Sequence, residues 1–280
     1  MSLPGPVVGA GWLSDHLESI VGADCRWYLD GRRGADAHEA GHIPGAVFVD
    51  LDRDLAAPPG GARGRHPLPE PTAFASAMGQ LGIGDDDQVV AYDDAGGSVA
   101  ARLWWMLQAV GREAAVLDGG LAAWPGPLES GPVVRPAVSF TSRAWPAAST
   151  LDLAEVDRLR GRRDVLILDA RAGDQHRGET EPIDPRAGHI PGARSAPFGE
   201  NLDPDGGGFA AAAQLRTRFA RLGAGDATEI VSYCGSGVTA CHNLLAMEIA
   251  GVGGGRLFAG SWSAWSSDPA RPAAQGPEPG

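Results

Sequence analysis

The chain has 280 residues with 43% hydrophobic content, enough for two ordinary domains with buried cores and too apolar for a disordered or fibrous protein. Its formal charge of −12 argues against nucleic acid and membranes as main partners. Every lysine-or-arginine position is arginine, which excludes Schiff-base chemistry, lysine-held pyridoxal phosphate and a lysine-bearing phosphate loop. A GC-rich genome is the simpler explanation of the missing lysines.

The N-terminal "MSLPGPVVGAGW" has no basic region followed by an apolar stretch, and no run of eighteen apolar residues occurs. The expected compartment is the cytoplasm. Cys25 stands at the start of an apparent strand and reads as a packing residue. With Cys234 and Cys241 it makes an odd count without CxxC spacing, so neither a disulfide framework nor a metal site is expected. No cofactor is expected either.

From here the chain repeats itself. "LDGR" at 29–32 returns as "LDAR" at 168–171, and "AGHIPGA" at 40–46 returns unchanged at 187–193. "VVAYDDAGGSVAAR" from Val89 aligns with "IVSYCGSGVTACH" from Ile230, and "LDGGLAAW" ending at Trp124 aligns with "FAGSWSAW" ending at Trp265. Four matches in one order mark a duplicated domain. The Pro-, Ser- and Thr-rich stretch that follows has no helical period. The expected division is a first domain at 1–135, a linker at 136–148 and a second domain at 149–280.

In the second half "DVLILD" and "EIVSY" read as buried strands. "AAQLRTRFARLG" and "TACHNLLAMEIAG" read as helices, each stopped by a glycine. Alternating strands and helices predict an α/β fold in each half, a parallel sheet flanked by helices. On the alignment above, the second half is eight residues longer between "LD-R" and "HIPG", a stretch containing "QHRGETEPIDPR". The first half is six longer between "HIPG" and the tyrosine, where "RGRHPLP" lies. Asp93 stands where the second half has Cys234, so one catalytically silent copy and one active copy are expected. His42 and His189, present in both copies, are read as structural.

Cys234 falls after a predicted parallel strand, where α/β sheets bind ligands. Gly235 and Gly237 are expected to adopt positive φ and to turn backbone N–H groups toward one point, ahead of a helix beginning near Thr239. Thiols at helix N-termini are held as thiolate more readily than free cysteine. Ser236 supplies a hydroxyl. Two readings fit a cysteine here, an inert strand-end thiol or a nucleophile, and the flanking glycines favour the second. Cys241, within the helix, reads as packing.

The "CGSGVT" loop, with "AGHIPGA" in both halves, resembles the tandem-domain sulfurtransferases of the rhodanese superfamily over nearly the whole chain. Within it, CGSGVT is similar to the loop of the 3-mercaptopyruvate sulfurtransferases, whereas thiosulfate-using relatives more often carry basic residues directly after the cysteine. The resemblance implies a Cys234 persulfide, with a small-molecule sulfur donor and cyanide or a thiol as acceptor, such as a small thiol or a thioredoxin-like protein. It implies a proton relay of Ser236, His66 and Asp52, a loop of Gly235, Gly237, Val238 and Thr239 around the donor, and two arginines for the donor carboxylate. Arg186 matches one. Gln175 replaces the other, with Arg177 nearby. Thiosulfate:cyanide transfer and a non-catalytic binding module are the alternatives. A cysteine phosphatase is disfavoured because Ala240 and Cys241 stand where an arginine would close its loop.

Overall fold

The computed structural model describes residues 2–280, and these divide into two compact units. Unit 1 holds the chain through Ala57, then Leu68–Trp145 and Pro204–Phe209. Unit 2 holds Pro58–Pro67, Pro146–Asp203 and Ala210–Gly280. The segment read as a linker, 136–148, spans the division between Trp145 and Pro146. The His66 segment, which comes from the first half of the sequence, belongs to unit 2.

Unit 1 is built on five parallel strands: β1 (Val7–Val8), β2 (Val21–Asp24), β3 (Val47–Phe48), β4 (Val89–Tyr92) and β5 (Ala114–Leu117), in the order β1-β5-β4-β2-β3. Unit 2 has four: β6 (Val165–Asp169), β7 (Ala193–Ser195), β8 (Glu229–Tyr233) and β9 (Arg256–Leu257), in the order β7-β6-β8-β9 and again all parallel. The central strands are apolar runs buried along their length, as sheets covered on both faces require. In each unit the strand order reverses beside a central strand, β4 or β8, and the carboxyl ends of the strands share one edge.

The helices follow from the sequence. Ala212–Arg221 turns Leu215 and Phe219 inward one turn apart and keeps its polar face out. Thr239–Ala250 is buried nearly all round, with nine of its residues inside, the polar His242 and Asn243 among them. Gly251, at φ 64°, ends it in the left-handed conformation that a side chain resists. Among the described residues no helix is long and apolar enough to cross a membrane.

The two units carry the same buried polar network, and it corrects the alignment drawn from the sequence. Asp169 ends β6. Its carboxylate accepts from Arg171 Nε and Nη2 at 3.0 and 2.7 Å, pairs with His176 Nδ1 at 3.2 Å and accepts from Tyr233 Oη at 2.8 Å. Arg171 Nη2 also donates to the Gly188 carbonyl at 2.6 Å. In unit 1 Asp24 ends β2, with Arg26 donating to it and to the Gly41 carbonyl, and with His38 Nδ1 at 3.0 Å. The counterpart of "LDAR" is therefore "ADCR" at 23–26, and "LDGR" at 29–32 is an exposed turn where Arg32 pairs with Asp30. On the corrected register the second half is only two residues longer up to its "HIPG" histidine. Cys25 likewise follows a strand and does not begin one. His42 stacks on His38, and His189 on His176, with centroids 3.9 and 3.8 Å apart. Both "HIPG" histidines are buried parts of these networks.

Candidate active site

Cys234 is the first residue after β8 and is 2% exposed. Its backbone is fixed on both sides: its N–H donates to Ser261 Oγ at 3.1 Å, and its carbonyl accepts from Trp262 N at 2.9 Å. The chain then turns through Gly235–Val238 into the helix Thr239–Ala250, and Gly237 N–H donates to Cys234 Sγ at 3.1 Å. A sulfur that accepts from a backbone donor at the start of a helix is in surroundings that favour negative charge.

The two glycines serve different ends. Gly237 has φ 81°, and a Cβ there would lie 2.5 Å from the Ala259 carbonyl oxygen, so only glycine fits. Gly235, expected to share the positive φ, does not adopt it. Its lack of a side chain admits a neighbour instead: a Cβ at Gly235 would stand 3.1 Å from Nη2 of Arg65. Val238 is buried, and Thr239 is the first helical residue.

Ser236 Oγ lies 2.8 Å from His66 Nδ1, and both residues are nearly buried. This hydrogen bond links residues 170 positions apart, the two that the family resemblance implies for one relay. Asp52 lies in unit 1 on the short helix Leu51–Asp54, where its carboxylate accepts from Trp27 Nε1 at 2.9 Å.

The expected arginine clamp is not arranged as expected. Arg186 donates from Nε to the Ser266 carbonyl, from Nη1 to that of Arg271, and from Nη2 to those of Trp265 and Asp268, at 2.7–3.0 Å. Four of its five N–H groups are consumed in tying the last turn of the helix Ser261–Ser267 to the chain that follows it. Arg177 ends the helix Gly173–Arg177, which also carries Gln175, and forms a two-bond pair with Glu179. Both arginines are thus engaged by protein groups, Arg186 by backbone carbonyls and Arg177 by the Glu179 carboxylate.

Two residues at the site went unread in the sequence. Arg65 donates from Nη1 to Asp184 Oδ1 at 2.7 Å and from its backbone to Ser263 Oγ at 3.0 Å, while Ser263 N donates to the Gly235 carbonyl. Burial pushes the Asp184 carboxyl above its ordinary range, against the pull of Arg65. Ser261 is the one non-glycine residue with positive φ among the described residues, at 54°. Gly120 occupies the matching place of the repeat at φ 58°. A serine in that conformation is strained by about 1–2 kcal/mol, and its hydroxyl is the acceptor for Cys234 N–H. The "GGLAAW" to "GSWSAW" difference was the available signal. Cys25 and Cys241 are fully buried and not joined in a disulfide, and Cys241 Sγ donates to the Gly237 carbonyl.

Fold and site together define a class: two copies of a parallel α/β unit, one of which carries a cysteine in a backbone cradle. The chain belongs to the rhodanese-like family, whose domain model matches residues 10–126 and again 152–268. It is 49% identical to a "Probable 3-mercaptopyruvate sulfurtransferase" of Pseudomonas aeruginosa, over 90% of this chain and 91% of that one. It is 39% identical to the "Putative thiosulfate sulfurtransferase SseB" of Mycobacterium tuberculosis, over 90% of each. Among solved structures it is similar to the 3-mercaptopyruvate sulfurtransferase of Leishmania major, with a TM-score of 0.81 and 30% identity over 93% of this chain and 74% of that one. The structure of SseA from Escherichia coli, described under 3-mercaptopyruvate sulfotransferases, gives 0.80 at 33% identity, over 92% and 99%.

Proposed function

We propose that the protein is a sulfurtransferase that takes sulfur from 3-mercaptopyruvate on Cys234 and passes it to a thiol or to cyanide. The Cys234 thiolate attacks the donor sulfur, so that a sulfur–sulfur bond forms as the donor's carbon–sulfur bond breaks. The electron pair of that bond stays on carbon as the enolate of pyruvate, which takes up a proton. An acceptor thiolate or cyanide then attacks the outer sulfur of the persulfide and releases the Cys234 thiolate. The persulfide is anionic, and a backbone N–H already placed at the sulfur, that of Gly237, stabilises it without reorganising.

The observation that carries this reading is the Ser236–His66 hydrogen bond beside a sulfur held by Gly237 N–H. An enolate leaving group needs a proton, and a hydroxyl linked to an imidazole delivers one near neutral pH. Thiosulfate needs no such proton, since sulfite leaves as a stable anion. We retain Asp52 as the third relay member implied by the family resemblance. A chemistry that needs a reduced Cys234 suits the cytoplasm, and a small thiol or a thioredoxin-like protein is the acceptor we propose.

A second reading, thiosulfate as donor, is favoured by the 39% identity to the M. tuberculosis protein. The test is the rate of sulfur transfer to cyanide from each donor, with wild type and Ser236→Ala. Preference for 3-mercaptopyruvate that weakens in the variant supports the first reading. Preference for thiosulfate, unaffected by the variant, supports the second.

A further inference from the structure

We infer that Arg65 grips the carboxylate of the sulfur donor, so that anion recognition comes from the His66 segment and not from the 171–188 stretch. This rests on the reading of 3-mercaptopyruvate as donor. Arg186 is saturated by carbonyls, Arg177 is closed by Glu179, and a neutral Gln175 offers no charge. Arg65 is different. Asp184 engages Nη1 alone, and neither Nε nor Nη2 has a hydrogen-bond partner among the described residues. Those two N–H groups form one edge of the guanidinium, the parallel pair that matches the two oxygens of a carboxylate.

Placement supports the same conclusion. Nη2 would be 3.1 Å from a Cβ at Gly235, the residue next to the nucleophile, and the side chain is 30% exposed and so within reach of a ligand. The backbone of Arg65 is locked to the cysteine loop through Ser263, whose Oγ accepts from Arg65 N and whose N–H donates to the Gly235 carbonyl. Gly64, at φ 84°, packs so closely that a Cβ there would lie 2.4 Å from the Gly260 carbonyl oxygen. The geometry therefore presents a free bidentate edge at a fixed offset from Cys234. Asp184 acts as the positioning residue that aims it.

The experiment compares wild type, Arg65→Gln and Arg65→Lys on 3-mercaptopyruvate and on 1-mercaptopropan-2-one, which lacks the carboxylate. The wild-type preference for the carboxylate donor, read as a ratio of kcat/KM, is expected to fall by roughly tenfold to a hundredfold in Arg65→Gln, through KM. Arg65→Lys, which keeps the charge but loses the edge, is expected to fall between. In parallel, alkylation of Cys234 by iodoacetate is compared with alkylation by neutral iodoacetamide. The iodoacetate-to-iodoacetamide rate ratio drops in Arg65→Gln if the arginine holds anions at the thiol. An unchanged donor preference with an unchanged alkylation ratio overturns the inference and leaves the proposed function standing. A wild type that ignores 3-mercaptopyruvate overturns that function, and the alkylation ratio still decides whether Arg65 holds anions.

Discussion

Asp93 and Cys234 occupy the same position in the two units, each the first residue after the central strand, and each accepts hydrogen bonds from the loop that follows it. The Asp93 carboxylate accepts from Ala95, Gly97, Val99 and Ala100 N–H at 2.8–2.9 Å, and it is 1% exposed. Cys234 Sγ accepts from Gly237 N–H. Unit 1 fills its anion cradle with its own side chain, whereas unit 2 offers the cradle to a sulfur that can carry cargo. Unit 1 therefore has no thiol at the position that Cys234 holds in unit 2.

Asp93 should therefore matter for stability. Asp93→Ala strips one acceptor from four backbone donors, three of them buried, and is expected to cost about 2–4 kcal/mol, seen as a lower urea midpoint. A midpoint within experimental error of wild type would count against the cradle.

Ser236 and His66 should act as one device. Ser236→Ala and His66→Asn are each expected to lower kcat for 3-mercaptopyruvate by about 10²-fold or more. The double variant should lose little beyond either single one, because groups that work as a unit are non-additive. Losses that multiply would show that the two residues act separately.

Arg186 should behave as a structural tie. Arg186→Gln leaves carbonyls of the 265–271 segment without donors and is expected to destabilise by about 1–3 kcal/mol, while KM for the donor stays near wild type. A large rise in KM in a fully stable variant would restore the substrate-binding role.

The buried histidine network makes acid sensitivity predictable. Burial pushes the His189 imidazole below its ordinary value, so in the window beneath about 6.5 the unfolded chain binds a proton that the native unit does not. Stability therefore falls as pH drops through that window, by at most about 1.4 kcal/mol per pH unit from this group. Burial would raise Asp169, but the charge of Arg171 and the bond from His176 more than reverse this and hold the carboxyl well below the usual range. Its contribution is present above about 3.9 and is lost only in stronger acid. Urea midpoints between pH 7.5 and 5.5 check the histidine part. His189→Gln should lower stability at pH 7.5 and flatten the slope, and an undiminished slope would assign the acid sensitivity elsewhere.

Much of this was legible in the sequence, and the failures share a cause. β6, β8 and the helices 212–221 and 239–250 followed from apolar runs and glycine stops, which are local signals. The cysteine loop was legible because glycine and hydroxyl residues cluster where a strand meets a helix. The "LDGR" alignment failed because identity of letters at 29–32 outweighed position: what the fold repeats is an Asp at a strand end and an Arg two residues on, which Asp24–Cys25–Arg26 supplies. The four carbonyl partners of Arg186 were not legible, because an arginine in an insert looks the same whether it meets a ligand or backbone oxygens. Arg65 was passed over beside His66 because its task depends on Asp184 and Gly235, 119 and 170 positions away. Such partnerships are fixed by tertiary packing alone.

The central claim is that Cys234 carries sulfur, and its most direct test is intact and peptide mass spectrometry after brief exposure to 3-mercaptopyruvate, with the acceptor omitted. The account predicts a mass gain of one sulfur atom on the peptide containing Cys234, removed by cyanide and absent in Cys234→Ser. A gain on Cys25 or Cys241 instead, or no gain in an enzyme that still transfers sulfur, would contradict it.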